Sequence, residues 1–544
     1  MVRARGAIVC ELDTASEIGA QVLRDGGNAA DALIASVLAV GTLACYHSGI
    51  GGGGFALVRR PDGQYECLDF RSAAPRAAHP SLFIGKPEVS GVGGLSVAVP
   101  GELRGLGELH RKYGKLPWRC LVEPSIQLAR DGFPATKDLL AVSGMHPRHH
   151  GPQTDERSWI HKHPALSAMY VRDGRFVSEG TTLYRPEFAR TLEKIAEKGA
   201  DAFYEADIAQ DIVDAVRKEG GVMTVEDLRD FKVRYAKPLC INYRGYTVTA
   251  TSAPSSGSIV LQALSILSNF KPAGPGTIVD THRLIESLKF AYAHRTLLGD
   301  PPYVKGLDQA QDASIDTERG KHFASLIDDS KTQPPGFYNT DGLEIKTDHG
   351  TSHIIAADDD GLVISMTTTI TLYWGSRIVV PSSGIVLNDS MADFSVQGQP
   401  NFFGYLPTPA NYIEGGKRPL SSTSPFIVDD AQGCFCYSGG AAGGSRIISC
   451  NVQQARNFLD YGMAPADALG QPRLHDQLAP QETHLEDRFD DATADALRAL
   501  GHPVMRIPRA ESVGCSISFN ANSSEWVVSG EPRLTNSGGR IVRI

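Results

Sequence analysis

The chain has 544 residues, 42% of them hydrophobic, enough for a large buried core and more than one ordinary domain's worth of chain. Its 53 basic and 62 acidic residues leave a net charge of −9, and with no dense basic run this argues against a nucleic-acid partner. No stretch reaches the ~18 apolar residues that a membrane span needs; the opening MVRARGAIVCELD is charged too early for a secretion signal, which favours an intracellular protein over a secreted one whose leader has gone.

In chain order, Thr14-Ala15-Ser16-Glu17 reads as a capping box, opening a helix that carries Ile18, Val22 and Leu23 and stops at Gly26-Gly27. Asn28 caps a second helix over Ala29–Ala44, apolar nearly all round and therefore expected to be buried. His47–Phe55 follows as HSGIGGGGF. Gly49, Gly51 and Gly54 satisfy GxGxxG, and an acid, Asp69, stands twenty residues after the first glycine. A dinucleotide loop must follow a strand and open a helix, whereas this one follows a helix and enters a hairpin through Pro61-Asp62-Gly63. Its glycines read instead as a tight loop that lets backbone pack closely.

His146, His149, His150, His161 and His163 cluster without HExxH or Cys/His ligand spacing, and Pro147 breaks any helix face, so a solvated polar loop is expected and no metal. Leu284–Asp300 reads as a long amphipathic helix. The nine cysteines (Cys10, Cys45, Cys67, Cys120, Cys240, Cys434, Cys436, Cys450, Cys515) are an odd count in apolar or strand-like settings and read as buried thiols. Cys434 and Cys436 share a face of an expected strand, but CxC is not the redox CxxC.

Lys331–Gly350 is a polar strap holding Pro334, Pro335, Gly336 and Gly342, and it leads directly into an alternating run from Thr351 to Ala357. Three aspartates and Gly361 turn the chain, and Leu362–Thr369 returns as a second β-rich run. A threonine cut free at its own amide carries a hydroxyl nucleophile and an α-amino base in one residue. Such an amine has a reference pKa of about 7.7–8.0, so it can take the hydroxyl proton near neutral pH. On spacing alone, a threonine at a strand start is a good strand former and nothing more. Asn388-Asp389-Ser390 and Asn522-Ser523-Ser524 match the glycosylation triplet, a pattern that recurs by chance. Asp393–Arg418 is a long connection with glycines, prolines and the aromatics Phe402, Phe403 and Tyr405, the make-up of an active-site lid. The tail reads as a short strand and a helix over Gln481–Leu500, with more strand over Arg506–Val528.

Several stretches together carry a resemblance: HSGIGGGGF, DFRSAAP (Asp69–Pro75), SVAVPGELRGLGELHRKYGKLPW from Ser96, MTVEDLRDF, APSSGSIVLQALSIL, TSH at Thr351, TITLYWGS (Thr369–Ser376), SSGIVLND, RPLSS, GGSRII and GEPR. In this order they resemble the γ-glutamyltranspeptidases, also called glutathione hydrolases, which are N-terminal-nucleophile hydrolases. The resemblance implies an α+β fold, a four-layered αββα sandwich. It implies self-cleavage at Gly350–Thr351 into a large piece, 1–350, and a small piece, 351–544, that stay together as one unit. It further implies Thr351 as nucleophile, Thr369 orienting it, and the amides of Gly443 and Gly444 as the oxyanion hole; taken alone, those glycines are a turn between strands. Arg71 with Ser421 and Ser422 would hold a substrate α-carboxylate, and Asp393 its α-ammonium, with no cofactor and no metal.

Two positions depart from the family pattern: Thr371 stands where asparagine is usual, and Ser390, in NDSMADF, where a longer acid or amide is usual. Hydroxyls can accept a hydrogen bond there but reach less far and bring no charge. The expected activity is γ-glutamyl transfer or hydrolysis on glutathione, its conjugates or other γ-glutamyl amides, with water or an amine as acceptor. The alternatives are a same-fold acylase with another acyl group, or a binding protein without turnover.

Overall fold

The structure is a computed structural model that describes residues 4–142, 158–339, 341–345, 350–398, 406–509, 511–521 and 523–543. Thirteen strands form two facing sheets: β1 (Ala4–Cys10), β2 (Gly53–Arg59), β3 (Tyr65–Asp69), β4 (Arg234–Ala236), β5 (Leu239–Tyr243), β6 (Tyr246–Ala250), β7 (Ser352–Asp358), β8 (Val363–Thr369), β9 (Phe426–Asp429), β10 (Phe435–Ala442), β11 (Val513–Asn520), β12 (Glu525–Ser529) and β13 (Gly538–Arg543). One sheet runs β13-β1-β7-β8-β2-β3-β4 and the other β12-β11-β10-β9-β6-β5. Their inner faces meet through Val9, Leu57, Ile355 and Val363 on one side and Ile427, Phe435, Cys515 and Ile517 on the other.

Helices cover both outer faces, making four layers. α1 (Asp13–Arg24), α2 (Ala29–Leu43) and α3 (Glu102–Tyr113) belong to the core behind the first sheet, and α4 (Gly257–Leu267), α5 (Ile278–Arg295) and α6 (Arg446–Tyr461) to the core behind the second. The expected αββα sandwich is the fold observed. Strands from the two sides of Gly350 pair with each other in both sheets: β7 pairs with β1, β8 with β2, and β9 with β6. Because β7 and β8 lie between helices and a second sheet, every residue of both is buried, polar ones included.

Asn28 forms a reciprocal capping box with Asp31, as the sequence suggests. The box expected at Thr14 is not made. α1 starts at Asp13 with Leu12 as its uncapped N-cap, and the Asp13 N–H donates to Asn536 O at 2.7 Å, so a tertiary partner replaces the cap. Glu17, the other half of that expected box, pairs with Arg24 and Arg540. The helix read over Leu284–Asp300 spans Ile278–Arg295 and is buried along most of its length, because it packs between α4 and the C-terminal segments. Cys120, Cys240 and Cys434 are exposed, against the expectation of buried thiols, and all nine cysteines are free. The strap before Thr351 is not structureless: Pro335–Tyr338 makes a helical turn. His146, His149, His150, Asn522 and the lid aromatics Phe402, Phe403 and Tyr405 lie outside the described residues. Among the described residues, no helix is long and apolar enough to cross a membrane.

Candidate active site

Thr351 stands immediately before β7 and Thr369 at the end of β8, so the antiparallel pairing of those strands brings the two hydroxyls together. The Thr351 hydroxyl points at Thr369 Oγ1 at 3.4 Å, and the Thr369 hydroxyl in turn donates to the carbonyl oxygen of Gly350. The Thr371 N–H donates to Thr369 Oγ1 at 2.8 Å, which leaves the Thr369 hydrogen free to face that carbonyl. Gly350 has φ +107°, and a Cβ there would lie 2.6 Å from Thr371 O, so only glycine fits before Thr351. The residues expected as nucleophile and orienting partner are therefore adjacent, and the bond expected to break lies between them.

The glycine loop before β2 packs backbone to backbone against the far side of this pair. A Cβ on Gly52 would meet Thr369 O at 2.1 Å, and one on Gly54 would meet Thr367 O at 2.1 Å. The space that a pyrophosphate would need beside GxGxxG is filled by the carbonyls of β8. Close packing, the plainer reading of these glycines, is what the fold uses.

Arg71 is fully buried and ion-paired with Asp393, and its Nε donates to Pro419 O at 3.4 Å, two residues before Ser421. The carboxylate and ammonium ends expected of the pocket thus face each other directly. Ser421 and Ser422 are buried beside them but already engaged: the Ser421 hydroxyl donates to Thr423 Oγ1 at 3.2 Å, and Arg295 donates to Ser422 Oγ at 3.0 Å. Gly443 and Gly444, with φ +120° and +59°, join the end of β10 to α6. On the same strand Gly440 lies against the His353 imidazole, two residues from Thr351; a Cβ there would meet the ring at 2.0 Å. Burial holds that imidazole neutral, with its pKa lowered to about 3, between Thr367 and Ser365.

The two departures meet each other. Thr371 Oγ1 and Ser390 Oγ are 2.8 Å apart, and Thr371 has φ +84°, an uncommon backbone for a β-branched residue. Beside them lies Asp389, to which the sequence reading assigns no chemical role. It is fully buried and accepts from Leu372 N at 2.9 Å through one oxygen, while the other has no hydrogen-bond partner. Burial first, and then the charge of Asp393, push its carboxyl well above the usual range. Other buried acids stand behind the strand pair. Burial raises Glu11 to about 7 against the lowering effect of the Ser352 hydroxyl, and its Oε1 lies 3.3 Å from His47 Nε2. Glu102 accepts from Thr368 Oγ1 and is likewise raised to about 7 by burial. No spacing pattern marks Glu11 or Glu102, since Glu102 meets Thr368 across 266 residues and Glu11 meets Ser352 on β7 from the start of the sequence.

Among the described residues His282, Glu286 and His502 bring ligand atoms within 4.8 Å of one another. The Lys289 ammonium sits 3.3 Å from Glu286 Oε1 and 3.2 Å from His502 Nδ1, so this cluster already contains its cation.

A family model described as gamma-glutamyltranspeptidase matches residues 15–539. The chain is 43% identical to the glutathione hydrolase proenzyme of Arthroderma benhamiae, covering 99% of this chain and 93% of that one. It is 42% identical to a glutathione hydrolase of Aspergillus flavus, covering 98% and 89%. Among solved structures, the cephalosporin acylase of Bacillus halodurans superposes with a TM-score of 0.86 at 25% identity, covering 99% of this chain and 96% of that one.

Proposed function

The chain belongs to the gamma-glutamyltranspeptidase family, and from that premise we propose that it is a γ-glutamyl hydrolase and transferase that matures by cutting itself before Thr351. The observation that carries this reading is the hydrogen-bonded line from Thr351 through Thr369 to the Gly350 carbonyl. Thr351 Oγ1 attacks the Gly350 carbonyl carbon, and its proton passes to Thr369 as the Thr369 proton moves to the developing oxyanion. Collapse returns the proton from the tetrahedral oxygen to the nitrogen as the C–N bond breaks, leaving Gly350 as an ester on Thr351 and freeing the α-amine. Water then hydrolyses the ester. The products are a Gly350 carboxylate and an N-terminal threonine with nucleophile and base in one residue.

The same arrangement then serves the substrate. The freed amine takes the Thr351 hydroxyl proton, Oγ1 attacks the γ-carbonyl of a γ-glutamyl amide, and the amine leaves with that proton. Water or an acceptor amine releases the γ-glutamyl group from Thr351. Amides of Gly443 and Gly444 would stabilise the tetrahedral intermediate; loss of one such donor typically costs about 3–4 kcal/mol. Arg71, with the Ser421–Ser422 loop, would grip the α-carboxylate, and Asp393 the α-ammonium, the substrate zwitterion taking the place of the present ion pair. The interleaved strands support two pieces, 1–350 and 351–544, that stay joined through shared sheets.

A second reading, an acylase for another acyl group, is favoured by one feature: the Thr371–Ser390 hydroxyl pair where a longer amide or acid is usual. The fold likeness to a cephalosporin acylase is in keeping with it. One preparation separates the readings. The smaller fragment should begin Thr-Ser-His-Ile, and a γ-glutamyl anilide should be turned over faster than the glutaryl anilide, which lacks the amine. Any other start removes Thr351 as nucleophile, and a preference for glutaryl puts the acylase in first place.

A further inference from the structure

Glu102 opens α3, yet its side chain does not serve that helix. The carboxyl is fully buried; one oxygen accepts from the Thr368 hydroxyl, the Gly49 N–H also reaches it, and Oε1 has no hydrogen-bond partner. The backbone around it is tied to the same glycine loop, since Gly101 N and Glu102 N both donate to Gly52 O, at 2.8 and 3.0 Å. A carboxyl buried with an open acceptor is costly to keep, and a purely structural wedge between a loop and a strand would not require one.

Its partner explains where the cost is placed. Thr368 immediately precedes Thr369, and its cross-strand neighbour Ser352 immediately follows Thr351. Glu102 therefore holds the strand pair from behind, at the register of the two front hydroxyls. Gly52, in the loop that Glu102 is tied to, packs against Thr369 O with no slack. We infer that Glu102 is a positioning residue for the threonine pair: through Thr368 it locks the end of β8 against the glycine loop, so that the Thr369 hydroxyl meets the carbonyl that Thr351 attacks. The inference rests on the reading of Thr351 and Thr369 given above. Misplacing a reacting group by about 1 Å can cost on the order of 100-fold in rate.

The test uses the full-length chain with Thr368→Val, Thr368→Ser, Glu102→Gln and the Glu102→Gln/Thr368→Val double variant. The half-time of self-cleavage of freshly translated chain is followed on denaturing gels, and kcat and KM are taken per cleaved molecule. Thr368→Val, which keeps shape but loses the hydroxyl, should slow cleavage at least about tenfold and lower kcat similarly, with KM within about twofold. Thr368→Ser should recover both rates to within about threefold, and the double variant should be no more than about twofold slower than the slower single one. Wild-type rates in Thr368→Val, or multiplying effects in the double variant, would overturn the inference. N-terminal sequencing of the same samples separates its failure from that of the underlying reading. A start other than Thr-Ser-His-Ile overturns both, whereas the expected start with unaffected Thr368→Val rates overturns this inference alone.

Discussion

Arg71 and Asp393 neutralise each other inside a site where the guanidinium is fully buried and the carboxylate nearly so. Arg71 Nη1 has no hydrogen-bond partner, so one arm of the fork remains open beside the pair. An α-amino acid carries the complementary charges on one carbon, so it can replace each side chain's partner without leaving either charge bare. This relationship predicts unequal effects of single and double substitution. Asp393→Ala should lose roughly 3–5 kcal/mol of stability, because it leaves Arg71 charged and buried, whereas Arg71→Met/Asp393→Leu should recover most of that loss. Urea denaturation measures both; an Asp393→Ala chain as stable as the parent would show that the pair is not the balance described.

The Thr369 hydroxyl faces the Gly350 carbonyl in the uncut chain. Thr369→Val should therefore slow self-cleavage by about 100- to 1,000-fold, the usual effect of losing one oxyanion donor. Thr369→Ser should remain within about tenfold of the parent, since its hydroxyl can still donate. Thr351→Ala should not cleave at all. Gel time courses decide these outcomes, and a Thr369→Val chain that matures at the parent rate would remove Thr369 from the reaction.

Thr371 combines a left-handed backbone with a β-branched side chain, and its hydroxyl meets Ser390. Asparagine accepts that backbone more readily, so Thr371→Asn should stabilise the chain by about 1 kcal/mol. Thr371→Asn/Ser390→Glu should also raise kcat/KM for γ-glutamyl anilide while leaving the glutaryl anilide little changed. That outcome would show a weakened version of the family pocket. A fall in γ-glutamyl turnover would instead mark a pocket shaped for another acyl group.

Glu11 supplies a pH test independent of turnover. Burial raises its carboxyl from 4.5 to about 7, while burial lowers His47 beside it to about 3, so that imidazole stays neutral throughout the window. A carboxyl raised on folding contributes stability that is complete below its unfolded pKa and is lost as pH climbs through the folded value. The loss here is on the order of 3 kcal/mol between pH 4.5 and 7. Glu11→Gln cannot ionise and escapes it, so the melting temperature of the variant relative to the parent should rise from pH 5 to pH 8. A constant difference across that range would mean that Glu11 is not buried in its neutral form.

The residues alone determined the order of elements around Thr351, the hairpin that follows it, the Asn28 cap and the context that sets the glycine loop apart from a dinucleotide site. These are local matters, settled by turn chemistry and by the periodicity of neighbouring side chains, and the ordered motifs carried the family likeness across nearly the whole chain. Tertiary structure decided what depends on distant partners. Thr14 loses its expected cap because Asn536, far along the chain, takes up the helix start. Arg71 meets Asp393 across 322 residues, and Glu102 meets Thr368 across 266, separations at which no spacing rule operates. Asp389 and Glu11 read as ordinary polar residues until both faces of β7 and β8 are covered; removal of water then pushes each carboxyl above its usual range beside the strand that follows Thr351.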